Sequence, residues 1–252
     1  MSVIYGPIPS WRLGRSLGID LLPGTGKTCS FDCTYCQLGQ TTRPCVERQV
    51  FVPLEQVREE LEALGPVEAD YVTFSGCGEP TLAANLGQAI VLARGLLGRP
   101  IAVLTNASLM TRADVRQELG WANLVVAKVD APDEALFREI NRPYIGEDLA
   151  WILEGIARFR QEAPARLALQ MMFVKDNRHR SAEMAAIARR LEPDEVHLNT
   201  PLRPSPVPPL PPEALAEIEA DFGPNAINVY RTMRLEVAPL DPSETRRRRP
   251  AG

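Results

Sequence analysis

Soft metal ligands are scarce in this 252-residue chain, which has five cysteines and two histidines. An odd cysteine count in a chain of this length does not fit the disulfide framework of a small secreted domain. No apolar run approaches the ~18 residues that span a bilayer. Met1–Pro7 also lacks the basic and apolar regions of a signal peptide. The expected setting is therefore cytoplasmic and without a membrane, where thiols stay reduced. Excess positive charge is missing too. The net charge is −4 and the pI near 5.4, which argues against a surface that coats nucleic acid. No repeat of solenoid length occurs. Hydrophobic residues make up 45%, enough for the core of one large domain, or of one domain with a small appendage.

Against that scarcity, Cys29, Cys33 and Cys36 crowd into one stretch, Lys27–Cys36, with the spacing C-x₃-C-x₂-C. Cysteine thiolates are the usual ligands of iron–sulfur clusters. A four-iron cluster on three cysteines keeps one iron open, and an open position in a metal site takes a further ligand. Three other readings compete. Zinc needs a fourth ligand, and the two histidines, His179 and His197, lie far along the chain. A thioredoxin-like Cys33/Cys36 pair leaves Cys29 unexplained. Gly26-Lys27-Thr28 resembles the end of a phosphate loop, but Leu21 stands where that loop needs its first glycine.

Beyond the cysteines, helical and strand patterns alternate. Strands are expected at Gly18–Leu22, Asp70–Ser75, Ile101–Thr105, Leu124–Val129, Leu167–Val174 and Glu195–Asn199. Helices are expected at Pro53–Gly65, Leu82–Leu97, Arg112–Leu119, Pro132–Ile140, Asp148–Ala163 and Ser181–Leu191. Such alternation implies parallel βαβ units, in a barrel or a doubly wound sheet, with ligands at the strand ends. Pro201–Pro212 holds seven prolines and reads as an extended connector. The expected organisation is 1–200 for the barrel, with its cysteine loop at 27–37, then 201–212 for the connector and 213–252 for a C-terminal cap. The cap has a helix near Glu213–Phe222, a strand near Ile227–Tyr230 and a solvated basic tail, Arg246–Arg249.

The cysteine loop, with Tyr35 just before its last cysteine, resembles that of the radical S-adenosylmethionine (SAM) superfamily. The resemblance implies an α/β fold: a partial (β/α)₆ TIM-like barrel with a small C-terminal α/β extension. It implies a [4Fe–4S] cluster on Cys29, Cys33 and Cys36, with SAM on the open iron through its amino and carboxylate groups. Tyr35 would help shape that pocket. Gly76-Cys77-Gly78-Glu79-Pro80 resembles the superfamily's glycine-rich motif after strand two. Gly76 and Gly78 would let backbone approach a ligand, and Glu79 would accept from the methionine ammonium of SAM. A plain helix start at Pro80 is the alternative. Thr105-Asn106-Ala107-Ser108-Leu109 is similar to T-N-G-x-L, with Ala107 in place of glycine. Asn106 would bind cofactor or substrate, or form a turn. Lys128 would take the methionine carboxylate and Asp130 the ribose hydroxyls, unless the two form a structural ion pair. Gln170 and Met172 share a strand face. Asn199 is the candidate for the adenine edge, and His197 reads as structural.

A closer resemblance rests on Tyr5–Ser10, Leu13–Asp20, Val129–Pro132 and Asn199–Pro204 together with the cysteine loop. These are similar to the Fe–S oxidoreductases grouped with 4-demethylwyosine synthase, a tRNA-modifying enzyme, although Trp11 and Cys77 depart from the expected arginine and serine. Characterised wyosine synthases resemble one another in a second cluster on additional N-terminal cysteines, and no cysteine precedes Cys29 in this sequence. The resemblance therefore implies the cofactor chemistry more than the substrate. The partners it implies are a low-potential electron donor of flavodoxin or ferredoxin type and an unidentified substrate, with tRNA less favoured. A glycyl-radical activase and a non-catalytic metal-binding scaffold are the rival functions.

Overall fold

The computed structural model describes residues 1–250 apart from 23, 25, 145, 147, 233 and 234. One sheet holds eight strands: β1 (Ile4–Ser10), β2 (Gly14–Ile19), β3 (Tyr71–Phe74), β4 (Ile101–Thr105), β5 (Leu124–Lys128), β6 (Arg166–Met172), β7 (Glu195–Asn199) and β8 (Ala226–Asn228). They lie side by side in chain order. β1 and β2 form an antiparallel hairpin, and every later pairing is parallel. The helices are α1 (Leu54–Glu62), α2 (Leu86–Leu97), α3 (Ala113–Leu119), α4 (Glu134–Asn141), α5 (Leu149–Glu162), α6 (Ser181–Leu191), α7 (Pro212–Glu219) and α8 (Pro242–Arg248). Because strand order never reverses, the sheet has no switch point of the doubly wound kind. It curls into a half-barrel, an α/β fold of the partial-barrel type.

Alternation along the strands divides the interior in two. Val72, Phe74, Val103, Val125 and Leu169 point outward into the large core beneath the helices, each fully buried. Burying such side chains is worth about 1.5–3 kcal/mol apiece. On the inner face, Ala102, Leu124, Val126 and Ala168 pack with Leu13 from the β1–β2 turn in a small second core. That turn folds across the inside of the half-barrel, and the space above it carries polar side chains.

Three features depart from the sequence expectation. The first parallel strand runs over Gly14–Ile19, not Gly18–Leu22, and β1 precedes it. Pro7 and Pro9 argue against a strand, but β1 lies at the sheet edge, where proline costs no ladder bond. In the C-terminal part, β8 joins the barrel's sheet beside β7. Arg246–Arg249, expected as a solvated tail, is helical as far as Arg248. The Asp241 carboxylate caps α8 by accepting from the Ser243 and Glu244 amides. Arg248 is 1% exposed and pairs at 2.8 Å with Asp20, itself 1% exposed. A buried counter-charge more than two hundred positions away is invisible in local composition. Among the described residues, no helix is long and apolar enough to cross a membrane.

Candidate functional site

The inner face of the sheet borders a cavity of about 310 Å³, at the lower end of the roughly 300–1,000 Å³ of small-molecule sites. Cys29, Cys33 and Cys36 all line it, together with Tyr35, Gly76, Gly78, Glu79, Asn106, Lys128 and Asn199. Asp130 does not. Its carboxylate accepts from the Tyr35 hydroxyl, from Asn141 Nδ2 at 2.7 Å and from the Met172 amide at 2.9 Å. Asp130 thus has structural partners: it stands behind the wall and ties Tyr35 to the sheet. No ion pair joins it to Lys128 among the described residues. Gln170 and Met172 also line the cavity. His197 is wholly buried, bonded to Glu195 at 2.8 Å and edge-on to Trp11.

The cysteine loop is docked from two sides. On one, the Thr28 amide donates to Cys77 O at 2.9 Å and the Glu79 amide donates to Thr28 O at 3.1 Å. A Cβ on Gly78 would stand 1.6 Å from that Thr28 oxygen, and one on Gly76 would stand 2.2 Å from the Asp20 carboxyl carbon. The close approach these glycines permit is thus to the protein itself. On the other side, the Thr34 amide donates to Ile140 O at 2.9 Å, and Phe31 packs edge-on against Phe137 at 5.4 Å. The proline-rich stretch is more than a connector. Ser205 Oγ donates to Tyr35 O at 3.0 Å, and Thr200–Arg203 line the cavity.

Glu79, 2% exposed, is held by four donors. Oε1 accepts from the Thr81 amide (3.0 Å), Thr81 Oγ1 (2.6 Å) and Thr105 Oγ1 (2.7 Å), and Oε2 accepts from the Asn106 amide (2.6 Å). Burial raises its pKa, and those donors oppose the rise. The helix-start reading holds in part, since Glu79 caps the short 3₁₀ turn at Pro80–Leu82. Asn106 also uses its side chain inside the protein, donating to Ser30 Oγ at 2.9 Å and lying 3.7 Å from Cys29 Sγ. Ala107 takes a left-handed φ of 66°, the conformation for which glycine is the ordinary choice.

Every cysteine is a free thiol. Burial pushes the Cys29 thiol up to about 12, against the pull of Lys27, and raises Cys33 against the pull of Lys128. Such thiols become ligands when a cationic centre replaces their protons. Lys27, 4% exposed, and Lys128 both line the cavity. Burial works against both charges, but neighbouring acids and the thiols raise both values. The Lys128 ammonium sits 4.9 Å from the centre of the Tyr35 ring. Among the described residues, no three His, Cys, Asp or Glu side chains are grouped to chelate a single ion. Three thiols on one cavity, each for a separate iron, suit a cluster better than mononuclear zinc.

Residues 25–186 match the family model described as the radical SAM superfamily. The chain belongs to that superfamily. Radical SAM enzymes use a [4Fe–4S] cluster and SAM, and the donor set here fits such a cluster. The chain is 43% identical over 210 residues to UPF0026 protein slr1464 of Synechocystis, covering 81% of this chain and 77% of the relative. To UPF0026 protein MJ1312 of Methanocaldococcus jannaschii it is 40% identical over 211 residues, covering 81% and 65%. The fold is similar to that in a structure of TYW1 with a lysine-pyruvate adduct bound. The TM-score is 0.61 over 83% of this chain and 74% of that one, with 17% identity. At that identity the likeness speaks for the fold alone. Relatives at 40% identity or more are UPF0026 proteins, so the wyosine resemblance stands at the level of superfamily and fold.

Some residues at the site carried no signal in the sequence. Asn141, at the end of α4, contacts Cys33 Sγ at 3.4 Å as well as Asp130. Arg249 lines the cavity, although its run of arginines reads as a tail. Only the packing of α8 brings it there.

Proposed function

We propose that this chain is a radical SAM oxidoreductase that holds a [4Fe–4S] cluster on Cys29, Cys33 and Cys36 and acts on a substrate bound in the inner cavity. One observation carries the reading: three free thiols from one loop share a cavity with Glu79 and Lys128, in a chain of this superfamily. When bound, the cluster and SAM supply an electron and a 5′-deoxyadenosyl radical able to take hydrogen from substrate. The protein supplies binding, orientation and exclusion of water. Lys128, with no ion-pair partner among the described residues, offers its charge to a carboxylate such as that of SAM. Glu79 Oε2 accepts a single protein donor and keeps capacity for an ammonium. Asn199 has its oxygen tied to the Thr200 amide at 2.9 Å, which leaves its N–H donors for an adenine edge. Gly76 and Gly78 keep Glu79 in place, Asn106 braces the turn beside Cys29, and Asp130 positions Tyr35. A flavodoxin- or ferredoxin-type protein would deliver the electron.

The test is anaerobic incubation of the reconstituted protein with SAM and dithionite. 5′-Deoxyadenosine is the expected product. A full cluster that never yields it would leave only the metal-scaffold reading, and turnover that depends on a partner protein would point to an activase. The fold likeness to TYW1 favours a wyosine-type synthase as the second reading. The net charge of −4 and the presence of only Cys45 and Cys77 outside the loop weigh against it. Supplying pyruvate and tRNA bearing N1-methylguanosine, then looking for the tricyclic base, decides between them.

A further inference from the structure

The cavity carries a second group of cations, separate in their electrostatic partners from Lys27 and Lys128. Arg12 comes from the β1–β2 turn, Arg203 follows β7 and Arg249 follows α8, and all three line the cavity. Most arginines of this protein sit against acids, as Arg15 does with Glu68 and Asp70, and Arg48 with Asp114 and Glu118. These three have no carboxylate within ion-pair distance among the described residues. Their contacts are with neutral groups. Arg12 Nη1 donates to Gln170 Oε1, its guanidinium lies 4.9 Å from the Trp11 ring centre, and its Nε is buried without a partner. Arg249 donates to Ser75 Oγ at 3.0 Å and to Arg248 O at 3.3 Å.

All three are half-buried, and gathering like charges partly away from water is costly unless something offsets them. The cost is visible here. Burial, then Arg249 and Arg203, pushes Arg12 down to about 9, and burial, then Arg249, pushes Arg203 down to about 10. Guanidinium is suited to bidentate recognition of carboxylate or phosphate.

We propose that Arg12, Arg203 and Arg249 form an oxyanion subsite, so that the substrate is a small organic anion held by its phosphate or carboxylate group. That this anion is the substrate rests on the radical SAM reading above. The subsite itself rests on the three unpaired guanidiniums around one cavity.

The test is calorimetric titration of the anaerobically reconstituted protein with inorganic phosphate, pyrophosphate and malonate, each with and without saturating SAM. At least one anion is expected to bind in a one-to-one ratio and to bind alongside SAM. Arg203→Gln and Arg249→Gln should each weaken it about tenfold or more, and Arg203→Lys should fall between. A preference for phosphates assigns a phosphate ester, and a preference for malonate assigns a carboxylate. Arg203 makes no hydrogen bond to a described residue, so its variants test binding without removing a structural bond, and circular dichroism checks their fold. The proposal is overturned by an absence of saturable binding, or by unchanged affinity in both glutamine variants. It is equally overturned if anion and SAM exclude each other, since the arginines would then hold SAM's own carboxylate, or if only an RNA oligonucleotide binds. Absence of 5′-deoxyadenosine from the wild-type protein would remove the radical reading and leave anion binding measurable, so the two can fail separately.

Discussion

Two carboxylates, Glu79 in the cavity wall and Asp130 behind it, are treated in the opposite way from the arginines around the same cavity. Glu79 accepts four hydrogen bonds and Asp130 three, all from protein groups. Arg12, Arg203 and Arg249 receive no acid at all among the described residues. An acid held by several protein donors holds geometry, as Asp130 does, with Glu79 keeping room for one more donor on Oε2, while a guanidinium left unmatched has capacity for a ligand. The comparison therefore sets acids braced by the protein against arginines left open to a ligand. Lys128 belongs with the arginines in lacking an ion-pair partner, but its charge is coupled to Asp130 and the thiols.

The largest effect expected concerns the thiols. Cys29→Ala, Cys33→Ala and Cys36→Ala should each prevent assembly of an intact cluster, measured as bound iron and visible absorbance after anaerobic reconstitution. Cys45→Ala and Cys77→Ala should retain it. A full-strength cluster in Cys33→Ala would sink the assignment.

Next comes the matched pair at the far end of the chain. Arg248→Gln leaves Asp20 buried beside the Cys77 and Leu22 amides with its cationic partner gone. Breaking a buried pair from one side costs about 3–5 kcal/mol, which a denaturant midpoint would report. An unchanged midpoint would mean that α8 is loosely held and that Arg249 is not fixed at the wall.

Glu79→Gln is expected to weaken SAM binding by about ten- to a hundredfold, the value of one charge-assisted hydrogen bond of roughly 1.5–3 kcal/mol. It should also lower stability, because the amide –NH₂ would face one of the present donors. Lost stability with intact SAM affinity would make Glu79 pure scaffold, like Asp130, and would remove its assignment to SAM.

The smallest effect is on pH dependence. Arg12 is held down to about 9 from an ordinary value of 12.5. Between those values the unfolded chain binds more protons at this group than the folded one, so stability rises with pH across the window. The penalty is complete at neutral pH and is relieved above about 9. At low salt the wild type should therefore gain on Arg12→Gln between about pH 8 and 10.5. Parallel stability curves for the two proteins would remove the penalty.

Local patterns were informative where function is local. The spacing of Cys29, Cys33 and Cys36 and the turn Gly76–Pro80 identify the site because their neighbours in sequence are their neighbours in space. Five of the parallel strands, β3 to β7, are legible for the same reason, since each buried run carries its own periodicity. The long-range parts were not. β1 escaped because edge position, which excuses Pro7 and Pro9, is a property of the finished sheet. The bonds of Asp130 are not legible because nothing in sequence shows Tyr35, Asn141 and the Met172 amide converging on it. The Arg246–Arg249 run resembled a tail because its counter-charge, Asp20, lies 228 positions away.

That last separation has a bearing on the order in which the protein matures. Asp20 borders Gly76 and accepts from the Cys77 amide at 3.1 Å, so it steadies the turn that carries Glu79. Its guanidinium partner is translated 228 residues later, roughly 10–50 s at 5–20 residues per second. The cysteine loop thus leaves the ribosome long before Arg248 can pair with the Asp20 that borders that turn. Ribosome-bound chains stalled ahead of α8 should show a protease-sensitive Gly76–Pro80 segment that becomes resistant once α8 has emerged. Insertion of iron and sulfur into a nascent chain would meet a loose turn, whereas insertion after release would meet a braced one.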